Sequence, residues 1–297
     1  MKIGVIGLGH MGRHYAENLL EAGHEIVVYD TIREAMREIV RLGAKAANSP
    51  KEVAQASDII ITALPSPAVE EKVVLGENGI LAGAKKGAII ISMGTVQPST
   101  TIKLAKVAKE KGMEYLDAPV SGGEAGAASA TLTIMVGGAK NIFEKTKKVL
   151  QALGKNVRYA GPQGSGNIAK LINNLLSLTN LVTLSEGMVL GTKAGADPKA
   201  LYEIIKTSTG RSQPLEFKLP KRIAIGDFEP GFRINLALKD LGLVMEMAKE
   251  YSVPLFMTSV AHQMYQLART KELGEKDITA VIRLLEEATG TTVRFKA

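Results

Sequence analysis

Short apolar runs alternate with longer amphipathic stretches along the first half of the chain. The runs at 2–6, 25–29, 58–64, 88–92, 114–120, 131–136 and 156–159 are rich in β-branched residues, and each is predicted as a strand. The stretches at 11–22, 33–42, 99–111 and 141–153 read as helices. Gly23, Gly43 and Gly112 follow three of them, where a left-handed residue closes a helix. Ser49-Pro50 reads as an N-cap with proline at the first helical position. Strands apolar on both faces, alternating with helices, predict a parallel sheet covered on both sides. Beyond Gly161-Pro162-Gln163-Gly164 the strand signals nearly vanish. The stretch 166–194 is one long helix without an internal proline, and further helices are expected from Asp197-Pro198 and over 235–250, 256–270 and 277–288. The domain boundary is therefore expected near residue 163.

The first strand runs into Gly7-Leu8-Gly9-His10-Met11-Gly12, a G-x-G-x-x-G turn that opens a helix, and the next strand ends in Asp30. This combination is the dinucleotide fingerprint in its confirming context. Gly7 permits the tight turn, Gly9 lets a pyrophosphate approach the backbone, and Gly12 lets helix and strand pack closely. The helix N-terminus offers N–H groups to phosphates. Asp30 would accept hydrogen bonds from ribose hydroxyls and repel a 2′-phosphate, which favours NAD; Thr31 and the nearby Arg33 leave NADP open. The fold class is accordingly α/β, a Rossmann-type doubly wound sheet over 1–163, followed by an all-α domain over 164–297 for substrate and oligomerisation, the two joined by a long helix.

That long helix is apolar nearly all round near its start. Its polar residues Lys170, Asn173, Asn174 and Ser177 share one narrow face at i, i+3, i+4 and i+7. A lysine so placed is either partly buried, which lowers its pKa and suits proton transfer near neutral pH, or it snorkels to water.

Composition narrows the function classes. The chain has 297 residues, 45% hydrophobic and 23% charged, with no Cys and no Trp. These values exclude a disulfide scaffold, a thiolate metal site, a cysteine nucleophile and a disordered chain. No apolar run reaches the ~18 residues of a membrane span. A strand begins at Lys2, so no signal peptide is expected and the location is expected to be cytoplasmic. The net charge of +7 is spread over both halves without a basic stripe, which argues against a nucleic-acid partner. His10 and His14 lie in and just after the glycine turn, but no histidine has a partner at ligand spacing, so no metal site is expected.

The glycine turn, Asp117-Ala118-Pro119-Val120-Ser121-Gly122-Gly123, Gly164-x-Gly166 with Lys170 and Asn174, and Lys239-Asp240-Leu241-Gly242 occur in the order and spacing of a known family. The chain resembles the β-hydroxyacid dehydrogenases, of the 3-hydroxyisobutyrate and 2-(hydroxymethyl)glutarate dehydrogenase type, over essentially its whole length. The resemblance implies hydride transfer between NAD and the hydroxymethyl group of a short 3-hydroxy acid. It implies Lys170 as the catalytic acid/base, Asn174 as a substrate-orienting residue, and Ser121, Gly122 and Gly123 as the loop for the substrate carboxylate. It further implies cofactor contacts at Gly7, Leu8, Gly9, His10, Met11, Gly12, Asp30, Leu64, Pro65, Thr95 and Lys239, with Asp240 supporting Lys239. The expected partners are a small anionic substrate and further copies of the chain, as a homodimer or homotetramer, with no nucleic acid and no membrane. Met245, Met247, Phe256 and Met257 are offered either as its interface or as core. The chain departs from the family at Arg13-His14-Tyr15-Ala16 and at Ser92-Met93-Gly94, where cofactor fit is affected. Alternatives are a reductase of small semialdehydes (tartronate, glyoxylate or succinic), NADP-linked or not, and, more remotely, a non-catalytic cofactor-binding module, against which the retained Lys170 argues.

Overall fold

The computed structural model describes residues 1–296 and divides into two compact units, 1–170 and 171 onward. The first unit runs β1 (Lys2–Ile6), α1 (Gly12–Glu21), β2 (Glu25–Tyr29), α2 (Arg33–Arg41), β3 (Lys45–Ala46), α3 (Pro50–Ala56), β4 (Ile59–Thr62), α4 (Pro67–Leu75), α5 (Ile80–Gly83), β5 (Ile89–Ser92), α6 (Pro98–Glu110), β6 (Glu114–Asp117), β7 (Val120–Ser121), α7 (Gly123–Ala128), β8 (Thr133–Gly137), α8 (Lys140–Gln151) and β9 (Asn156–Gly161). It ends on the first residues of α9 (Ser165–Lys193).

The strands form one sheet in the order β3-β2-β1-β4-β5-β6-β8-β7, with β9 beside β8. From β3 through β6 every pair is parallel. The chain goes from β1 to β2 on one side and reaches β4 on the other. Such a reversal marks the ligand crevice of an open α/β sheet, beyond the carboxyl ends of the strands. Alternation along each strand fills two cores. Ile59, Ile61 and Ile91 pack with Tyr15, Leu19 and Leu116, whereas Ile60 and Ile90 pack with Val53, Leu104 and Tyr115.

The wholly parallel expectation needs correction at one edge: β8 runs antiparallel to both β6 and β7. The run 114–120 is not one strand. Pro119 has no N–H to give a ladder and separates β6 from β7, although its carbonyl accepts from Met135 N–H at 3.0 Å. The short β3, α4, α5 and α7 also lie outside the sequence expectation. α4 is announced by the same signal as α3: Ser66 Oγ accepts from Val69 N–H, with Pro67 at the first helical position.

The second unit holds the remainder of α9, then α10 (Pro198–Lys206), a π-helical segment Pro214–Ile223, α11 (Ile234–Glu250), α12 (Phe256–Thr270), a 3-10 segment Ile278–Val281 and α13 (Ile282–Thr289). Leu178, Leu181, Leu219, Leu241, Tyr265 and Ile282 form its core. Asp277, wholly buried, accepts from Phe232 N–H, Thr279 N–H and the Thr279 hydroxyl and pairs with Lys218. Among the described residues α9 alone is long and apolar enough to cross a membrane by length and composition. Its apolar run is broken by Lys170, Asn173, Asn174 and Ser177, and its Leu171, Leu178, Leu181 and Val189 pack into cores.

Candidate active site

The glycine turn is built by close backbone packing. Gly7 has φ +89°, and a Cβ there would lie 2.5 Å from the Ala63 carbonyl oxygen. A Cβ on Gly12 would overlap the Gly7 carbonyl. At Gly9, by contrast, a Cβ would meet nothing within 4 Å, so this backbone is open to a ligand. α1 begins without a side-chain cap and without an acidic residue in its first turn, which leaves its N–H groups and dipole to an anion. The Asp30 carboxylate clamps the turn: Oδ2 accepts from Leu8 N–H at 2.6 Å and Oδ1 from Ile32 N–H at 2.8 Å. An open backbone, an uncapped helix start and a fixed carboxylate fit the pyrophosphate and ribose of NAD.

Leu64 and Pro65 follow β4, and Thr95 follows β5, at neighbouring strand ends. The two loops pack together, since a Cβ on Gly94 would lie 3.0 Å from the Leu64 carbonyl oxygen.

Asp117 ends β6 and is wholly buried. Its Oδ1 accepts from Gly164 N–H at 2.9 Å and Gln163 Nε2 at 3.3 Å, and its Oδ2 from Asn167 N–H at 2.9 Å. Burial pushes the carboxyl up, against the opposing pull of these amides. It thereby caps α9 across the sheet edge. Asn167 continues the chain of contacts: its Oδ1 accepts from Val96 N–H and its Nδ2 donates to Thr101 Oγ1, each at 3.1 Å. Lys170, half-buried, stands one turn along the helix so fixed.

Ser121 closes β7, and the two glycines after it, at φ +136° and +65°, lead into α7. Consecutive left-handed residues turn backbone N–H groups outward, and a Cβ on Gly123 would meet nothing within 4 Å. The glycine turn reaches this region through side chains. His10 Nδ1 lies 3.0 Å and His14 Nε2 3.7 Å from the Glu124 carboxylate, and Asn18 Nδ2 donates to the Ala127 carbonyl at 2.8 Å.

In the second unit, Asn174 and Asp240 are both buried, and Asn174 Nδ2 donates to Asp240 Oδ2 at 2.6 Å. Asp240 Oδ1 pairs with Lys239 Nζ at 3.0 Å. Among the described residues no group of His, Cys, Asp or Glu is gathered to hold a metal ion.

Residues 2–161 match the family described as the NAD binding domain of 6-phosphogluconate dehydrogenase. Residues 164–285 match the NAD-binding domain of NADP-dependent 3-hydroxyisobutyrate dehydrogenase. The chain is 46% identical to 2-(hydroxymethyl)glutarate dehydrogenase of Eubacterium barkeri, over 99% of this chain and 97% of that protein. It is 38% identical to the mitochondrial 3-hydroxyisobutyrate dehydrogenase of Rattus norvegicus, over 96% of this chain and 87% of that one. The chain belongs to the β-hydroxyacid dehydrogenase family. The fold agrees: 3-hydroxyisobutyrate dehydrogenase of Mycobacterium tuberculosis, solved with L-serine, superposes with a TM-score of 0.90 at 30% identity, over 96% of this chain and 98% of that one.

This β-hydroxyacid dehydrogenase is thus an NAD-binding oxidoreductase. Sequence reasoning missed what holds its parts together. Asp117 opens the Asp-Ala-Pro-Val-Ser-Gly-Gly motif and Asn167 follows Gly164-x-Gly166, but their partners lie about fifty and seventy residues away in the chain. Glu124, in a helix outside the sequence expectation, faces two histidines.

Proposed function

We propose that this dehydrogenase oxidises the hydroxymethyl group of a short 3-hydroxy acid, of the 3-hydroxyisobutyrate or 2-(hydroxymethyl)glutarate type, to the semialdehyde, reversibly. The observation that carries the reading is Lys170, set one turn from a helix start that Asp117 and Asn167 fix to the ends of β6 and β5. When bound, NAD accepts the hydride. Lys170 takes the hydroxyl proton on oxidation and returns it on reduction. The Ser121 hydroxyl and the N–H groups of Gly122 and Gly123 hold the carboxylate. Asn174 orients the substrate and Lys239 serves the cofactor, in the roles that family membership gives these positions. Asp30 favours NAD over NADP, because a carboxylate fixed by two amides repels a 2′-phosphate. The test is an oxidation screen with 3-hydroxyisobutyrate, 2-(hydroxymethyl)glutarate, serine and glycerate, each with NAD and NADP. Turnover of a 3-hydroxy acid with NAD is expected. Reduction of glyoxylate or succinic semialdehyde with no 3-hydroxy acid oxidised would overturn the substrate class.

The working state is a homodimer or homotetramer. Exposed Phe256, Met257 and Val260 on α12 support this, whereas Met247 belongs to the unit's own core. Light scattering that returns the mass of one chain would refute it.

A further inference from the structure

Glu70 lies in the first turn of α4, yet it is wholly buried. Its Oε1 accepts from the Thr62 hydroxyl at 2.8 Å and from the Tyr115 hydroxyl at 3.1 Å. Thr62 ends β4, Tyr115 lies in β6, and Ser92, in register with Thr62, ends the strand between them. Glu70 Oε2 and Ser92 Oγ are both buried with no hydrogen-bond partner, and Ser92 is near enough to act on the same carboxyl. Among the described residues no cation pairs with Glu70, and burial pushes its carboxyl up against the opposing pull of the three hydroxyls. Such burial favours the neutral acid over the carboxylate.

The strand ends tied here carry functional loops. Thr62 runs directly into Ala63-Leu64-Pro65 and Ser92 into Met93-Gly94-Thr95. We propose that Glu70 is a positioning residue for the cofactor: its carboxyl pins the ends of β4, β5 and β6 together and so holds the Leu64-Pro65 and Thr95 loops in the arrangement that binds NAD. The proposal rests on the reading that these loops contact NAD. The other ionisable groups beneath α4 are Tyr115 and Asp117 of β6. Burial, and Glu70 itself, hold the Tyr115 hydroxyl well above its usual range, so it stays a donor. Asp117 is engaged by Gly164 and Asn167. Lys103 of α6 pairs with Glu71 at the surface, 3.1 Å away. Ionisation of Glu70 as pH rises places a charge without a cation in the clamp, and NAD affinity falls.

The experiment titrates NAD calorimetrically into the full chain over a pH series rising from the ordinary carboxylate range, for the natural protein, Glu70→Gln and Glu70→Leu. Glu70→Gln keeps an acceptor and a donor and is expected within about twofold of natural affinity, without the loss as pH rises. Glu70→Leu strands two buried hydroxyls and is expected to weaken NAD about tenfold. Should Glu70→Leu fail to fold, the Gln comparison decides alone: a loss with rising pH shared by Glu70→Gln, or absent from the natural protein, overturns the proposal. Hydrogen exchange of the natural protein with and without NAD reads the loops separately. Protection of 63–66 and 93–96 with indifferent Glu70 variants defeats only the role of Glu70; no protection defeats the loop reading and the proposal with it.

Discussion

The Asp117 carboxylate accepts a hydrogen bond from the Asn167 backbone N–H at 2.9 Å, and Asn167 in turn holds the Val96 amide at 3.1 Å. A strand end, a helix start and the loop beyond a second strand are thereby fixed to one another. Lys170, on that helix, takes its place from this arrangement.

Asp117→Ala would leave the buried amides of Gly164 and Asn167 without an acceptor. The expected loss is about 2–3 kcal/mol of stability, read as a Tm lower by roughly 5–10 °C. Activity is expected to fall further than stability explains, because Lys170 moves with its helix. A melting curve unchanged from the natural protein would contradict the capping role.

The second and third glycines of the turn differ in a testable way. A side chain at Gly9 enters open space, so Gly9→Val is expected to keep the natural Tm while losing NAD binding. A side chain at Gly12 collides with the Gly7 carbonyl, so Gly12→Val is expected to destabilise the whole unit. Thermal melting beside NAD titration separates the two; equal effects on stability would be the wrong outcome.

Lys170→Met should leave NAD affinity near natural and lower kcat by about 10²–10⁴-fold, the range for loss of a general acid/base. The pH profile of kcat/KM should lose the limb that reports this group. Full turnover by the variant would remove Lys170 from the chemistry.

Burial raises the Glu70 carboxyl in the folded chain. Above the ordinary carboxylate range the folded state therefore holds a proton that the unfolded chain has released. This contribution is fully present at acidic pH and is lost as pH rises toward the folded-state value. Denaturant midpoints of the natural protein are expected to fall as pH rises above the ordinary carboxylate range, with a shallower fall for Glu70→Gln. Parallel curves would show that Glu70 does not titrate there.

The sequence made the parallel half of the sheet, the glycine turn and the long α9 legible, because each rests on local signals: continuous Ile and Val runs, glycine spacing, and an uninterrupted helical stretch. The antiparallel edge was hidden because Pro119 and the left-handed Gly122 and Gly123 act over single residues inside an otherwise strand-like run. The π-helical segment Pro214–Ile223, with Pro220 inside it, has no periodicity to read. Glu70 stands in Glu70-Glu71-Lys72, which reads as a charged, solvated turn; only Thr62 and Tyr115, from two other elements, bury it. Candidate site residues on motifs could be named in advance, whereas the groups that hold them in place are set by tertiary contacts.

The two amide bonds accepted by Asp30 bear on engineering. Cofactor preference is commonly altered by replacing the acid at the end of the second strand, but here that acid also ties down the Leu8 amide of the glycine turn and the Ile32 amide ahead of α2. Removing it would trade discrimination for a loosened phosphate cradle. A variant that accepts a 2′-phosphate is better sought at Thr31 and Arg33, with Asp30 left in place.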